Sequence, residues 1–499
     1  MIKSNTRVYS SIIGLWVIVL ALAFLASCKS EAVADEKSKP NIIYILADDL
    51  GYGDVSNYNP AGKIKTPNID RLASEGMRFM DAHTPSSVCT PTRYALLTGR
   101  YCWRTELPRG VMRGYGEALI EEDRVTVASM LKDNGYTTGV VGKWHLGLDW
   151  VMKDAFRDSL TSKSVQRNEN GVITQMNGDW VDFSKKPTDG PLDHGFDYSY
   201  ILPASLDMEP YCYLENDVLT EIPDQYTPGN ELNSDSYATG AFWRAGKISK
   251  TFDFYDLLPN FINKARDFIA INSKKKDPFF LYVPLAAPHS PWVPKDNYVG
   301  KSGAGEYGDF VQMVDAEVGR LLNSLEENGI LENTMVVFTS DNGPFWKPDF
   351  IERFDHKAAM DYRGMKMDIH EGGHRVPFIV KWPGKVKAGS QSNFTTSLTN
   401  FIATTAEILD INLDADTGGD SQSILPILLD DDSGLEAAPV IHHSSKGYFA
   451  IRKGPWKLVE GRGSGGFSKP VIVEPQEGEP IGQLYNLESD SVERINLYA

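Results

Sequence analysis

Asn41-Ile42-Ile43-Tyr44-Ile45-Leu46-Ala47-Asp48-Asp49 is the stretch whose reading decides the fold. It is a β-rich apolar run that stops abruptly at two acids. An unbroken apolar run, with no alternation, marks a strand buried on both faces, as in a parallel sheet covered by helices. The pattern returns three times. Thr137-Thr138-Gly139-Val140-Val141-Gly142 runs into Lys143-Trp144-His145, Pro278–Pro284 leads to His289, and Thr334–Ser340 runs into Asp341-Asn342. Helical stretches lie between, among them Val125–Asn134 and Tyr307–Gly329. The latter spaces Phe310, Met313, Val314, Val318, Leu321 and Leu322 at helical intervals. Strands alternating with helices predict an α/β fold. Ligands of such sheets collect beyond the carboxyl ends of the strands. Singly, each strand-end Asp or His reads as a turn former or a solvated residue. Together, four segments are expected to bring Asp48, Asp49, Lys143, His145, His289, Asp341 and Asn342 to one crevice.

The whole chain fits that reading. With 499 residues, 41% hydrophobic and 23% charged, it is neither wholly disordered, a coiled coil nor a polytopic membrane protein. Its net charge of −17 argues against nucleic acid as a partner and requires a local basic site for any anionic substrate. Lys3 and Arg7 precede the apolar run Ile12–Ala26, which is short for a membrane span and ends Leu25-Ala26-Ser27-Cys28 in the manner of a bacterial lipobox. The expectation is a signal peptide over 1–27, lipidation of Cys28 and a flexible tether over 28–40. Such a chain is an exported bacterial lipoprotein, held by its lipid anchor at a membrane, in the periplasm or at the outer membrane or cell surface. Four cysteines are too few for a disulfide scaffold. With Cys28 lipidated, Cys89, Cys102 and Cys212 are an odd set, and a Cys102–Cys212 pairing stays open.

Asp48, Asp49, Asp341 and Asn342 offer only oxygen donors, which suit Ca²⁺ or Mg²⁺ better than Zn²⁺. Gly51 and Gly53 allow the alternative that Asp48-Asp49 only cap a turn. The segment Ser86–Arg100 carries more. Pro91 suits the first turn of a helix and Gly99 its end. Cys89 then sits at the helix N-terminus, where unpaired N–H groups favour an anion, with Arg93 one turn along. The residues allow an activated cysteine, an anion cradle or a buried structural cysteine.

Cys89-Thr90-Pro91-Thr92-Arg93, followed by Leu97-Thr98-Gly99-Arg100, resembles the signature of the type I sulfatases. The resemblance runs through nearly all of residues 40–499. It includes Asp48-Asp49 with Gly51-Tyr52-Gly53-Asp54, Gly142–Gly147, Pro191–Asp197, Pro288-His289 and Ser340–Gly343. It continues through Arg363–Lys366, Glu371–Pro377 and Leu484–Leu487. It implies an alkaline phosphatase-like α/β/α sandwich over 40–430 and a smaller C-terminal α+β domain over 431–499. The acidic run Asp430–Gly434 is a plausible junction. Beyond it, Tyr448–Arg452 and Trp456–Val459 read as hairpin strands around Lys453-Gly454-Pro455.

The resemblance also implies hydrolysis of sulfate esters, here on a sulfated carbohydrate. Cys89 would be converted to formylglycine by a formylglycine-generating enzyme. Asp48, Asp49, Asp341, Asn342 and the modified Cys89 would hold a calcium ion. Lys143, Lys366 and Arg93 would supply positive field, Asp341 would accept the nucleophile's proton, His289 with Lys366 would serve the leaving group, and His145 would act in releasing sulfate. For the sugar, the candidates are Ser205-Leu206-Asp207, Tyr211, Tyr213, Glu215-Asn216-Asp217, Trp243-Arg244, His370 and His374, with Trp292 as a stacking face or a core residue. Two other functions stay open. One is a phosphodiesterase or phosphonate monoester hydrolase with the same cysteine signature. The other, if Cys89 is unmodified, is a non-catalytic lipoprotein that binds sulfated glycans.

Overall fold

The apolar run Asn41–Ala47 forms strand β1, buried along its whole length. The computed structural model describes residues 39–159, 178–230, 240–414, 416–431 and 434–498. The expected signal peptide, Cys28 and nearly all of the tether lie outside the described residues. The large sheet has ten strands: β1, β2 (Met77–Phe79), β3 (Thr137–Lys143), β4 (Tyr198–Leu202), β5 (Leu214–Glu215), β6 (Val218–Leu219), β7 (Phe279–Pro284), β8 (Thr334–Ser340), β9 (Phe378–Lys381) and β10 (Ser390–Ser392). Their order is β10-β2-β9-β8-β1-β7-β3-β4-β5-β6. The central five, β8-β1-β7-β3-β4, are parallel. The long apolar runs account for the core of this set. Toward the edges β9 and β5 join antiparallel. The edge strands are short and lack long apolar runs, so the sequence pattern did not mark them.

Alternate residues of β1 feed opposite faces, as a pleated strand requires. Ile43 and Ile45 pack with Phe261 of α3 (Leu257–Asn272) and Val314 of α4 (Gly305–Glu327). Ile42, Tyr44 and Leu46 pack with Tyr94 and Leu97 of α1 (Cys89–Thr98) and Val127 of α2 (Val127–Asp133). Each of these fully buried side chains contributes about 1.5–3 kcal/mol. Thr126 caps α2, accepting from the Ser129 N–H, so the helix begins two residues later than the periodicity predicts. The helix expected over Tyr307–Gly329 forms as Gly305–Glu327.

Register decides where the chemistry sits. Leu46 lies opposite Pro284 and Ala47 opposite Ser340, so the carboxyl ends of β1, β7 and β8 finish level. β3 ends beside them. A Cβ on Gly142 would stand 1.9 Å from the Pro284 carbonyl oxygen, so only glycine lets β3 pass that close to β7.

The four-stranded antiparallel sheet follows the acidic run: β11 (Val440–His443), β12 (Phe449–Lys453), β13 (Trp456–Glu460) and β14 (Gly482–Asn486). β12 and β13 are the expected hairpin. Buried charge ties this sheet to the large one. Lys457 Nζ lies 3.1 Å from Glu371 Oε1 and 2.8 Å from Glu493 Oε1, with all three side chains fully buried. Arg452 grips Asp81, Nη2 to Oδ2 at 2.8 Å. Between the two pairs runs a chain of imidazoles. Lys457 Nζ donates to His374 Nε2 at 2.9 Å, His374 Nδ1 meets His83 Nδ1 at 3.1 Å, and His83 Nε2 meets Asp81 Oδ1 at 2.8 Å. One tautomer set satisfies every link, with both imidazoles neutral. Burial drives both below the usual histidine range.

Removing one member of a buried ion pair strands the other. Lys457→Met keeps the aliphatic stem but leaves Glu493 uncompensated. We expect it to cost about 3–5 kcal/mol in urea unfolding. A loss below about 1 kcal/mol would mean that apolar contacts alone hold the small sheet.

Candidate active site

The carboxyl ends of the parallel strands and the head of α1 meet at one point. Helix α1 begins at Cys89, ends at Gly99 in the left-handed conformation, and is buried at all ten positions. Its first residue points its thiol at the end of β1, with Cys89 Sγ 3.6 Å from Asp48 Oδ1. One turn on, Arg93 donates to Asp341 Oδ2 from Nε at 3.0 Å and Nη2 at 2.7 Å. Its Nη1 donates to the Lys143 carbonyl at 2.9 Å. The guanidinium thus stitches the ends of β8 and β3 together. Lys143 Nζ donates to Asp48 Oδ2 at 2.7 Å and to Ser205 Oγ at 3.1 Å. Lys366 Nζ donates to Asp49 Oδ2 at 2.8 Å, and His289 Nε2 stands 3.7 Å from the same oxygen.

Two residues here hold positive φ, Asp49 at 65° and His145 at 58°. The Tyr307 hydroxyl, which donates to Asp54 Oδ2, packs 3.1 Å from the Asp49 carbonyl. His145 Nε2 is 3.0 Å from the Met112 carbonyl, to which it must donate. Its Nδ1 is therefore an acceptor, and it is buried without a hydrogen-bond partner among the described residues. Burial, then Lys143 and Arg93, push His145 well below the usual histidine range and keep it neutral. His289 donates Nδ1–H to the Ser290 carbonyl at 2.6 Å.

Burial opposes the charge on Asp48, but Lys143, His289, Arg93 and Lys366 together hold it far below the carboxylate range. Burial and the neighbouring Asp48 carry Asp341 up to about 6, against the pull of Arg93. Burial, then Asp341, push the Cys89 thiol well above its ordinary value. Burial and the neighbouring acids thus oppose the thiolate of an unmodified Cys89 despite the helix N-terminus.

Asp48, Asp49, Cys89 and His289 bring one candidate ligand atom each within 4.8 Å of one another. Asn342 Nδ2 donates to Asp49 Oδ1 at 2.6 Å, whereas Asn342 Oδ1 is buried and has no partner among the described residues. An orphaned carbonyl oxygen beside carboxylates, in an oxygen-rich set, fits a hard divalent cation.

A cavity of about 280 Å³ opens over these residues. Asp49, Cys89, His145, His289, Lys366 and Asp207 line it. Other parts of its wall carry no sequence motif: Arg113, Phe242, Phe345 and, from the C-terminal region, Lys446 and Phe467. Long-range folding alone brings these segments together, so no local pattern announces them.

Several expected sugar residues belong elsewhere. His370 and His374 are fully buried away from the cavity, His370 against Gln483 and His374 in the imidazole chain. Both are corrected to structural residues of the sheet junction, placed there by the tie between Glu371 and Lys457. Trp292 is corrected to a core residue, packed against Tyr307, Trp346 and Phe350. Tyr213 stacks on Tyr200, Glu215 pairs with Lys264 at the sheet edge, and Trp243 packs on Phe254. Of the expected sugar set, Asp207 and Arg244 line the cavity. Cys102 and Cys212 are free thiols, so the open disulfide does not form.

The family profile described as Sulfatase matches residues 40–411. The chain belongs to the sulfatase family. An N-acetylgalactosamine-6-O-sulfatase of Bacteroides thetaiotaomicron is 34% identical, across 95% of this sulfatase and 93% of that one. Arylsulfatase A of Bos taurus is 31% identical, across 89% and 78% of the two chains. A solved structure from work on glycosaminoglycan metabolism by Bacteroides thetaiotaomicron superimposes with a TM-score of 0.75. It is 33% identical over 92% of this sulfatase and 95% of that chain. Ps i-CgsB, solved with k-i-k-neocarrahexaose, gives 0.64 at 26% identity over 92% and 88%. Family and neighbours make this sulfatase a sulfuric ester hydrolase with the fold of glycan-processing relatives.

Burial raises all three described thiols, Cys102 to about 12. Any unconverted Cys89 should therefore resist iodoacetamide at pH 8 in the native protein and react once unfolded. Peptide mass spectrometry reads the label. Rapid native labelling of Cys89 would show that the thiolate is populated after all.

Proposed function

We propose that this sulfatase removes 6-O-sulfate from N-acetylgalactosamine-containing glycans, using a formylglycine made from Cys89 and a bound calcium ion. One observation carries the reading: Cys89, at the head of a buried helix and lining the cavity, stands among three carboxylates and three cations that pair with one another around it. The substrate comes from the likeness to the N-acetylgalactosamine-6-O-sulfatase. Asp48, Asp49, Asp341 and Asn342, with the modified Cys89, would hold the ion. When present, calcium supplies Lewis-acid stabilisation of charge on the ester, and hydrated formylglycine supplies a nucleophilic hydroxyl and a second one.

The remaining steps fall to this chain's own groups. Asp341, raised toward neutral pH, accepts the proton of the attacking hydroxyl. Lys143, Lys366 and Arg93 stabilise the charge that develops on the sulfate oxygens. In protonated His289, Nδ1–H is committed to the Ser290 carbonyl, so Nε2 gives its proton to the departing sugar oxygen. His145 receives a proton at Nδ1 in the step that frees sulfate, because Nε2–H is held by the Met112 carbonyl. Arg93, Lys143 and Lys366 formally offset Asp48, Asp49 and Asp341. A divalent ion then leaves a surplus positive charge that suits a sulfate ester. The N-terminal segment supports export as a lipoprotein anchored through Cys28, after encounter with a formylglycine-generating enzyme.

The test is direct. Protein produced with a formylglycine-generating enzyme should carry the aldehyde in its Cys89 peptide and hydrolyse N-acetylgalactosamine 6-sulfate in preference to an aryl phosphodiester. Cys89→Ser should fold normally and lose at least 1,000-fold in turnover, about 4 kcal/mol. Near wild-type turnover by that variant, or preference for the phosphodiester, refutes the reading.

Metal removal gives a separate check. Exhaustive chelation should lower the melting temperature, and Ca²⁺ should restore it, because a ligand of the folded state stabilises that state. Asn342→Leu should blunt the response. An identical melting curve with and without chelator would dismiss the ion.

A further inference from the structure

Among the described residues, Asp207 is the one acid in the cavity wall that the chemistry above leaves unused. It is 4% exposed, follows β4, and lines the cavity beside His289. Arg244 braces it, pairing Nη1 with Oδ2 and donating to the Asp207 carbonyl at 3.2 Å. The guanidinium is itself set over the Phe242 ring, 4.8 Å from its centroid. The other carboxylate oxygen, Oδ1, has no hydrogen-bond partner among the described residues. A buried, unpaired carboxylate oxygen is costly to retain. Burial opposes its charge, but Arg244, then His289 and Lys366, keep the group ionised. An ionised carboxylate only accepts. The missing partner is therefore a donor, and the cavity is where a ligand brings one.

We propose that Asp207, braced by Arg244, is the specificity residue of this sulfatase, accepting a hydrogen bond from a ring hydroxyl or acetamido N–H of the sugar that bears the sulfate. The inference rests on the sugar-sulfate reading above. It explains how the site tells a sugar ester from an aryl ester, which has no such donor. Sites built to hydrogen-bond a substrate group discriminate strongly against analogues that lack it.

The experiment compares wild type, Asp207→Asn and Asp207→Ala on N-acetylgalactosamine 6-sulfate, galactose 6-sulfate and 4-nitrophenyl sulfate. A second readout is calorimetric binding of the first two sugars to protein whose Cys89 is unconverted. For Asp207→Asn we expect kcat/KM on the sugar sulfates to fall about 10- to 100-fold further than on nitrophenyl sulfate, chiefly through KM, with a matching loss in binding. A loss for both sugars assigns the donor to a ring hydroxyl, and a loss for the acetamido sugar alone assigns it to the N–H. Equal losses on all three substrates, or none, would overturn the proposal. Wild type that cleaves nitrophenyl sulfate but neither binds nor cleaves either sugar would instead defeat the sugar-sulfate reading, and this inference with it.

Discussion

A charge buried in protein persists only beside its opposite, and that constraint shapes this molecule at two places. At the strand ends, Asp48 keeps its charge because Lys143 sits 2.7 Å away and Arg93 reaches over it. Arg93 has no slack. Its fork spans the ends of β8 and β3 from the first turn of α1. The helix that presents Cys89 is thereby tied to the strands that present the acids. Level strand ends, a glycine at 142 and a buried arginine are one arrangement seen from three sides.

The second place is the junction with the small sheet. There Lys457, Arg452 and Arg375 face Glu371, Glu493 and Asp81 around His83, His374 and His442, the last stacked on His374 with ring centroids 3.8 Å apart. This junction matters to the cavity because the C-terminal region furnishes part of its wall, including Lys446 and Phe467. An array that looks structural thus helps set the shape of the site.

Much of this was legible in the chain itself, for definite reasons. Unbroken apolar runs marked four of the five central parallel strands, all but β4, because both faces of each are covered, and their polar ends marked the crevice. Cys89 and Arg93 were readable because one helical turn separates them. The strands beyond β8 were not, since β9, antiparallel to β8, and β10, parallel to β2 at the edge, are short and carry no distinctive period. The cavity wall was least legible. His374 and Asp207 look alike in sequence, each a polar residue near a motif, yet one is locked between Lys457 and His83 and the other faces the cavity. Only the packing of distant segments separates them. Trp292 misled for the same reason: an aromatic beside His289 suggests a sugar platform until Tyr307, Trp346 and Phe350 enclose it.

The burial of α1 also sets a timetable. Every residue of that helix is packed inside, and Cys89 is 2% exposed. A macromolecule cannot thread its own active centre into so enclosed a place. Any protein that is to act on Cys89 must therefore reach it while the segment is still an open chain, before β1, β7 and β8 close around it. Were Cys89 to be modified by another protein, that chemistry would precede the architecture.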